Sequence, residues 1–138
     1  MLAPGRPRRV ESKFRLLYLG TDVKLMAAVQ QVLTPPEYQV VACSDRESAV
    51  LFIRSEIRYD LLLIDFEWRG KDGIKLARLA RSQRHRRRMP KIVVASIKLG
   101  SELETFARNA GVKECVMKSP EAGRVIEVIR RLVEQRKR

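Results

Sequence analysis

Apolar residues along this chain alternate between short unbroken runs and stripes spaced three or four apart. The clearest run is Tyr59-Asp60-Leu61-Leu62-Leu63-Ile64-Asp65, four aliphatic residues bounded by acids with no helical stripe. Such a run reads as a strand covered on both faces, the signature of a central strand in a parallel sheet. Residues 14–19, 38–42, 92–95 and 112–117 supply four more runs. Between them lie helical stripes. Leu25, Val29, Val32 and Leu33 share one face, and Ile74, Leu76, Ala77, Leu79 and Ala80 stand against Lys75, Arg78 and Arg81. Leu103, Phe106, Ala107 and Ala110 form another stripe, and Val125, Val128, Ile129 and Leu132 the last.

The punctuation agrees with this division. Thr34-Pro35-Pro36 stops the first helix, because proline cannot continue the hydrogen-bond ladder. Ser44 with Glu47 has capping-box spacing and starts a helix that runs through Ile53; Ser101 with Glu104 repeats the spacing. Asp72-Gly73 opens the helix after the central run, and Gly111 sits where a helix C-terminal glycine belongs. Ser119-Pro120-Glu121 supplies an N-cap, a first-turn proline and a first-turn acid. Five strands alternating with five helices predict a doubly wound α/β domain around a parallel sheet, spanning residues 13–138. Residues 1–12, with Pro4, Gly5, Pro7, Arg6, Arg8 and Arg9, read as a flexible basic arm.

Composition narrows the class. At 138 residues and 45% hydrophobic, the chain is one ordinary globular domain. No apolar run approaches the roughly 18 residues of a membrane span, and the first residues lack the apolar segment of a secretion signal. Cys43 and Cys115 have no metal-ligand spacing, and the single His85 cannot complete a zinc set. The expectation is a reduced, cytoplasmic protein. No classical hydrolase nucleophile motif, P-loop or Gly-x-Gly-x-x-Gly is present, which leaves a conventional enzyme or nucleotide binder without support. The net charge of +13 stands out. Arg84, His85, Arg86, Arg87 and Arg88 form a basic run, and Arg130, Arg131, Arg136, Lys137 and Arg138 close the last helix. With the arm, these groups belong at the pole where helices end, opposite the C-terminal edge of the sheet. They predict a surface for an anionic partner, an acidic protein or nucleic acid, in competition with plain solvation of helix ends. Aromatic residues are scarce there, so any nucleic-acid contact should be backbone-directed and salt-dependent.

Right-handed crossovers bring all strand C-termini to one edge, where α/β proteins place their chemistry. Gly20-Thr21-Asp22, Asp65, Ser96 and Lys118 should gather there. A carboxylate, a hydroxyl and a lysine suit phosphoryl chemistry, as acceptor, hydrogen-bond donor and counter-charge respectively. The run ending at Asp65, Asp72-Gly73 seven residues later, Ala110-Gly111 and Lys118 seven residues after Gly111 together resemble a response-regulator receiver domain of two-component signalling. The resemblance covers about residues 13–138 and implies a five-stranded sheet of order 2-1-3-4-5. It implies Asp65 as phosphoacceptor, Lys118 as the lysine that contacts the phosphoryl group, and Ser96 as the switch hydroxyl. Counting from Gly111 selects Ser96 and counting from Pro90 selects Ala95; only Ser96 offers a hydroxyl. It further implies a sensor histidine kinase or another signalling protein as partner, and no enzymatic activity beyond the domain's own phosphorylation and dephosphorylation.

The chain departs from the receiver pattern in several places together. Receivers carry two acids after the first strand that bind Mg²⁺; here Gly20 and Thr21 stand in those places, with Asp22 one residue later. A site built from Asp65 and the displaced Asp22 is expected to hold Mg²⁺ weakly. Asp22 also reads as the N-cap of the first helix. Trp68-Arg69-Gly70 replaces the region of the usual proline, and Cys115 takes the aromatic switch position. Trp68 reads equally as a partner anchor and as an aromatic folded against the domain, and the two cysteines as small core residues. The expectation is an atypical receiver, inefficiently phosphorylated at Asp65. The alternative is a pseudo-receiver that binds protein or nucleic acid without phosphorylation.

Overall fold

In a computed structural model of the chain, residues 14–83, 89–118 and 122–137 are described. Five parallel strands form one sheet in the order β2-β1-β3-β4-β5, with β1 Phe14–Leu19, β2 Tyr38–Cys43, β3 Leu61–Asp65, β4 Lys91–Ser96 and β5 Glu114–Met117. The helices are α1 Val23–Val32, α2 Arg46–Arg54, α3 Phe66–Arg69, α4 Lys71–Arg81, α5 Ser101–Asn109 and α6 Gly123–Lys137.

Side-chain alternation divides the strands between two cores. Leu16 and Tyr18 of β1, Leu61 and Leu63 of β3, and Val93 and Ala95 of β4 face α1 and α6, meeting Leu25, Val29, Val125 and Ile129. Leu17, Leu19, Leu62, Ile64, Ile92 and Val94 face the other way, against Ala49, Ile53, Ile74, Ala77 and Ala107. Every residue of β3 is buried, as its unbroken apolar run predicts. Each fully buried leucine or isoleucine here contributes about 1.5–3 kcal/mol by leaving water. This double core fixes the register, since a one-residue slip would send every side chain to the wrong face.

Several boundaries differ from expectation. β3 begins at Leu61, because Asp60 turns its carboxylate back to accept from the Arg15 N–H at 2.9 Å. The N-cap of α2 is Asp45, not Ser44; its side chain accepts from Ser48 N at 2.8 Å and from Ser48 Oγ at 2.9 Å. The Ser44 carbonyl is engaged by the indole N–H of Trp68 at 2.8 Å. Ser101 lies inside α5, behind Gly100 at the N-cap, so its capping box does not form. β5 starts at Glu114, two residues later than its apolar pattern suggests.

The additional helix is α3, one turn inserted between Asp65 and α4. Gly70 separates the two at φ 58, ψ −135, a conformation that only glycine adopts readily. Gly111 ends the α5 turn at φ 91, and a Cβ there would meet Arg81 Nε at 2.6 Å. The basic arm, the run at 84–88 and Ser119-Pro120-Glu121 lie outside the described residues. Among those described, no helix is long and apolar enough to cross a membrane.

Candidate functional site at the C-terminal edge of the sheet

Three strand ends assemble the site. Asp65 ends β3 and Ser96 ends β4, while pairing of Ser96 with Met117 carries β5 to the point where Lys118 follows. The Lys118 N–H donates to the Ser96 carbonyl at 2.9 Å and extends that ladder by one bond. Among the described residues, Asp65 at 2%, Ser96 at 1% and Lys118 at 8% exposure make up the buried polar and charged group. The sequence singled out the same three. Ala95 packs into the α1/α6 core instead, which leaves the hydroxyl at this edge to Ser96.

Lys118 Nζ lies among three carboxylates, 2.8 Å from Asp65 Oδ1, 2.8 Å from Glu67 Oε1 and 3.4 Å from Asp22 Oδ2. A buried ammonium is tolerable only when paired and hydrogen-bonded in this way. Burial pushes the Lys118 pKa down, but hydrogen bonds and charge from Asp65 and Glu67 outweigh it and leave the group above its ordinary value. Desolvation likewise raises Glu67, yet the bonds from Lys118 and Ser96, the lysine charge and the Ile97 N–H carry it below the usual range. For Asp22, desolvation is overcome by the Leu25 N–H and by Lys118, and its pKa is lowered. Asp22 is the N-cap of α1, accepting from Leu25 N at 2.9 Å, so its cap role and its contact with the lysine coexist.

Two participants went unread in the sequence. The first is Tyr18 of β1, whose hydroxyl donates to Asp65 Oδ2 at 2.8 Å and accepts from the Asp22 N–H at 3.0 Å. Burial, with the neighbouring Asp65 hydrogen bond and the Asp65 and Asp22 charges, pushes the phenol pKa well above its ordinary value, against the Asp22 N–H. The phenol fits because residue 20 is glycine: a Cβ there would lie 2.6 Å from both Tyr18 Cζ and Asp65 Cβ. A polar-tipped aromatic in an aliphatic strand, two residues before a terminal glycine, is the available signal. The second is Glu67. Asp65 N-caps α3, its Oδ1 accepting from Glu67 N at 3.0 Å. That turn swings the Glu67 carboxylate back over the edge, with Oε2 2.8 Å from Ser96 Oγ and Oε1 3.2 Å from Ile97 N.

Both oxygens of Asp65 are therefore engaged by protein donors, and the space above Gly20 is filled by a phenol. Among the described residues, no group of three acidic, histidine or cysteine side chains is arranged to hold a metal ion. The carboxylates that do converge, Asp22, Asp65 and Glu67, are joined by the Lys118 ammonium. Trp68 is folded against the domain, packed beside the α2/α4/α5 core with Arg69 over its ring. Cys43 is buried and Cys115 partly so. Of the basic residues, Arg131 is clasped by Glu114 of β5, with Nη2 2.6 Å from Oε2, while Arg130 is exposed. Arg136 and Arg58 approach Asp60 at 3.2 and 3.9 Å at the opposite pole. Arg84, Arg86, Arg87 and Arg88 lie outside the described residues.

The fold is a doubly wound parallel α/β domain with a buried aspartate–lysine pair at the C-terminal edge of its sheet. The model of the response regulator receiver domain matches residues 19–130, and the chain belongs to that family. Its fold is similar to a response regulator from Thermotoga maritima, with TM-score 0.72 and 18% identity over 89% of this chain and 99% of that one. A CheY-like receiver from Methanospirillum hungatei JF-1 gives TM-score 0.70 and 23% identity, covering 91% and 98%. A Burkholderia pseudomallei response regulator, described with a phosphorylated aspartic acid, calcium ion and citrate, gives 0.69 and 13%, covering 91% and 72%. No curated protein matches by sequence.

Proposed function

We propose that this receiver domain works chiefly as a docking module in signalling, with Asp65 a residual and inefficient phosphoacceptor. The observation that carries this reading is the Tyr18–Asp65 hydrogen bond in the space above Gly20. Phosphoryl transfer depends on neutralising charge on the transferring group, which receivers do with a metal held by acids that this chain lacks. The phenol and the lysine hold Asp65 in a hydrogen-bonded pair of interactions that an incoming phosphodonor must break. Mg²⁺ binding by Asp65 and Asp22 is correspondingly weak, since Asp22 is already committed to α1 and Lys118.

The retained Asp65–Lys118 contact at 2.8 Å supports a second reading, slow phosphorylation from a sensor histidine kinase. One measurement tests the docking reading. Intact mass after incubation with a small phosphodonor and Mg²⁺ should show little added phosphoryl, and none in Asp65→Asn. Rapid and complete labelling of the wild-type protein at millimolar Mg²⁺ would overturn the docking reading.

The partner we favour is an acidic protein surface met through the basic pole, with nucleic acid as the competing outcome. The +13 charge and the arginines at 84 and 86–88 support it. Binding to an acidic polypeptide should weaken steeply with salt and fall when those four arginines become serine. Binding unaffected by the four changes would reduce the charge to surface solvation.

A further inference from the structure

The pole opposite Asp65 holds a cavity of about 120 Å³ whose charge is unbalanced. Phe14 of β1 and Leu132 of α6 form apolar walls, and Arg58, Lys91 and Arg136 stand around them with Asp60. Asp60 is the fixed point. Its Oδ2 accepts from the Arg15 N–H at 2.9 Å, and its Oδ1 lies 3.2 Å from Arg136 Nε. The Arg136 guanidinium is also 5.6 Å from the centre of the Phe14 ring, so two contacts hold it at the wall. Lys91 is exposed, and Arg58, at 48% exposure, meets Asp60 only at 3.9 Å. One carboxylate against three cations leaves two positive charges unbalanced around the cavity. Cations at helix C-termini are ordinary, but Lys91 opens β4 and Arg58 lies past the end of α2, so helix ends do not account for them.

We propose that this cavity seats an acidic peptide segment of a partner protein, one apolar side chain entering between Phe14 and Leu132 and its flanking carboxylates resting on Arg58 and Lys91. The volume suits one such side chain, since a cavity of about 150 Å³ takes a benzene-sized group. Asp60 sets the selectivity. It neutralises Arg136 and repels a bare anion from the interior, so carboxylates stay at the rim and an apolar group is admitted beneath them. A nucleic-acid backbone offers the anions without that apolar group, and Phe14, at 5% exposure, is too buried to give a base a stacking face. The inference rests on the acidic-partner reading above and gives it a seat separate from the arginines at 84 and 86–88.

The test uses the full chain and amide NMR titration, which reads affinity and place together. The probes are an end-capped glutamate pentapeptide with leucine at its centre, the same peptide with central glycine, and a short DNA duplex. The leucine peptide should shift the Phe14, Arg58 and Lys91 amides saturably and bind about tenfold more tightly than the glycine peptide, as burial of one aliphatic side chain requires. Arg58→Gln with Lys91→Gln should weaken it roughly three- to tenfold; both side chains are exposed, so the variant folds as the wild type does. The seat is overturned if neither peptide moves those amides, even where binding of an acidic polypeptide falls with the serine changes at 84 and 86–88 and the wider reading stands. Equal affinity for the two peptides, indifference to the Arg58 and Lys91 changes, or tighter binding of the duplex at the same amides would each overturn it as well.

Discussion

Tyr18 and Gly20 share one volume: a Cβ on residue 20 would lie 2.6 Å from Tyr18 Cζ, in the place the phenol uses to reach Asp65. Neither can be altered alone without cost. Gly20→Ala should destabilise the fold by about 1–3 kcal/mol, the usual range for overpacking. In a Tyr18→Leu background the same substitution should cost less, the remainder being the approach to Asp65 Cβ at 2.6 Å. Urea midpoints of the four proteins measure the coupling, and additive effects would show that the two positions do not compete.

The metal prediction follows from the same pair. Denaturant midpoints of the wild type with Mg²⁺ and with chelator should nearly coincide, since a ligand stabilises only by its affinity for the native state. Gly20→Asp with Thr21→Asp should raise Mg²⁺ affinity more in a Tyr18→Leu background than beside the phenol, which occupies the space above residue 20. Trp68, three residues from Asp65, reports the titration by fluorescence. Tight Mg²⁺ binding by the unaltered chain would contradict the argument.

Lys118→Met should cost about 3–5 kcal/mol, because it leaves the buried Asp65 carboxylate without its counter-charge. Lys118→Met combined with Asp65→Leu should recover much of that loss. Thermal unfolding with a calorimetric check decides; a double variant as unstable as the single would assign the cost to packing rather than charge.

Alkaline pH should expose Tyr18. The unfolded phenol releases its proton near 10.0 and the folded one only above that, so its contribution is intact below pH 10.0 and lost as pH rises beyond it. Lys118, raised above its ordinary 10.5, acts in the same direction: its contribution is present below that pH and declines as pH rises through the folded value. Stability should therefore hold up to about pH 10 and fall above it by roughly 1.4 kcal/mol for each pH unit and each such group beyond its unfolded pKa. Tyr18→Phe should show a shallower fall, and equal slopes for variant and wild type would remove Tyr18 from the account.

Gly70→Ala should destabilise by about 1–3 kcal/mol, because φ 58 with ψ −135 is costly for any residue bearing a Cβ. No neighbouring atom lies within 4 Å of such a Cβ, so the cost is purely conformational. Circular dichroism and urea unfolding check it; a neutral substitution would mean that α3 and α4 tolerate another junction.

What the sequence made legible was set by periodicity and by strand ends. The run through Leu61–Asp65 announced a covered central strand, and the residue that closes it, Asp65, was placed without knowledge of any contact. Ser96 and Lys118 followed from the same logic of strands ending at one edge. Tyr18 escaped because it obeys the strand's alternation perfectly: its ring is core, and only its hydroxyl reaches the site. Glu67 escaped because a four-residue helix is too short to show a stripe, and its carboxylate reaches β4 only through that turn. Caps were misread by one residue at Asp45, where a carboxylate offers the Ser48 amide and hydroxyl two acceptor oxygens and the neighbouring serine offers one.

The crowding around residue 20 also bears on how this domain can change over generations. With the phenol in place, any side chain introduced at Gly20 meets a clash; with Gly20 retained, shortening Tyr18 leaves an unfilled hollow beneath Asp65 and an Asp22 amide without its acceptor. Either order of substitution towards an acid at residue 20 therefore passes through a less stable protein. The arrangement behaves as a ratchet: reversing either residue alone costs stability, so the two are held together.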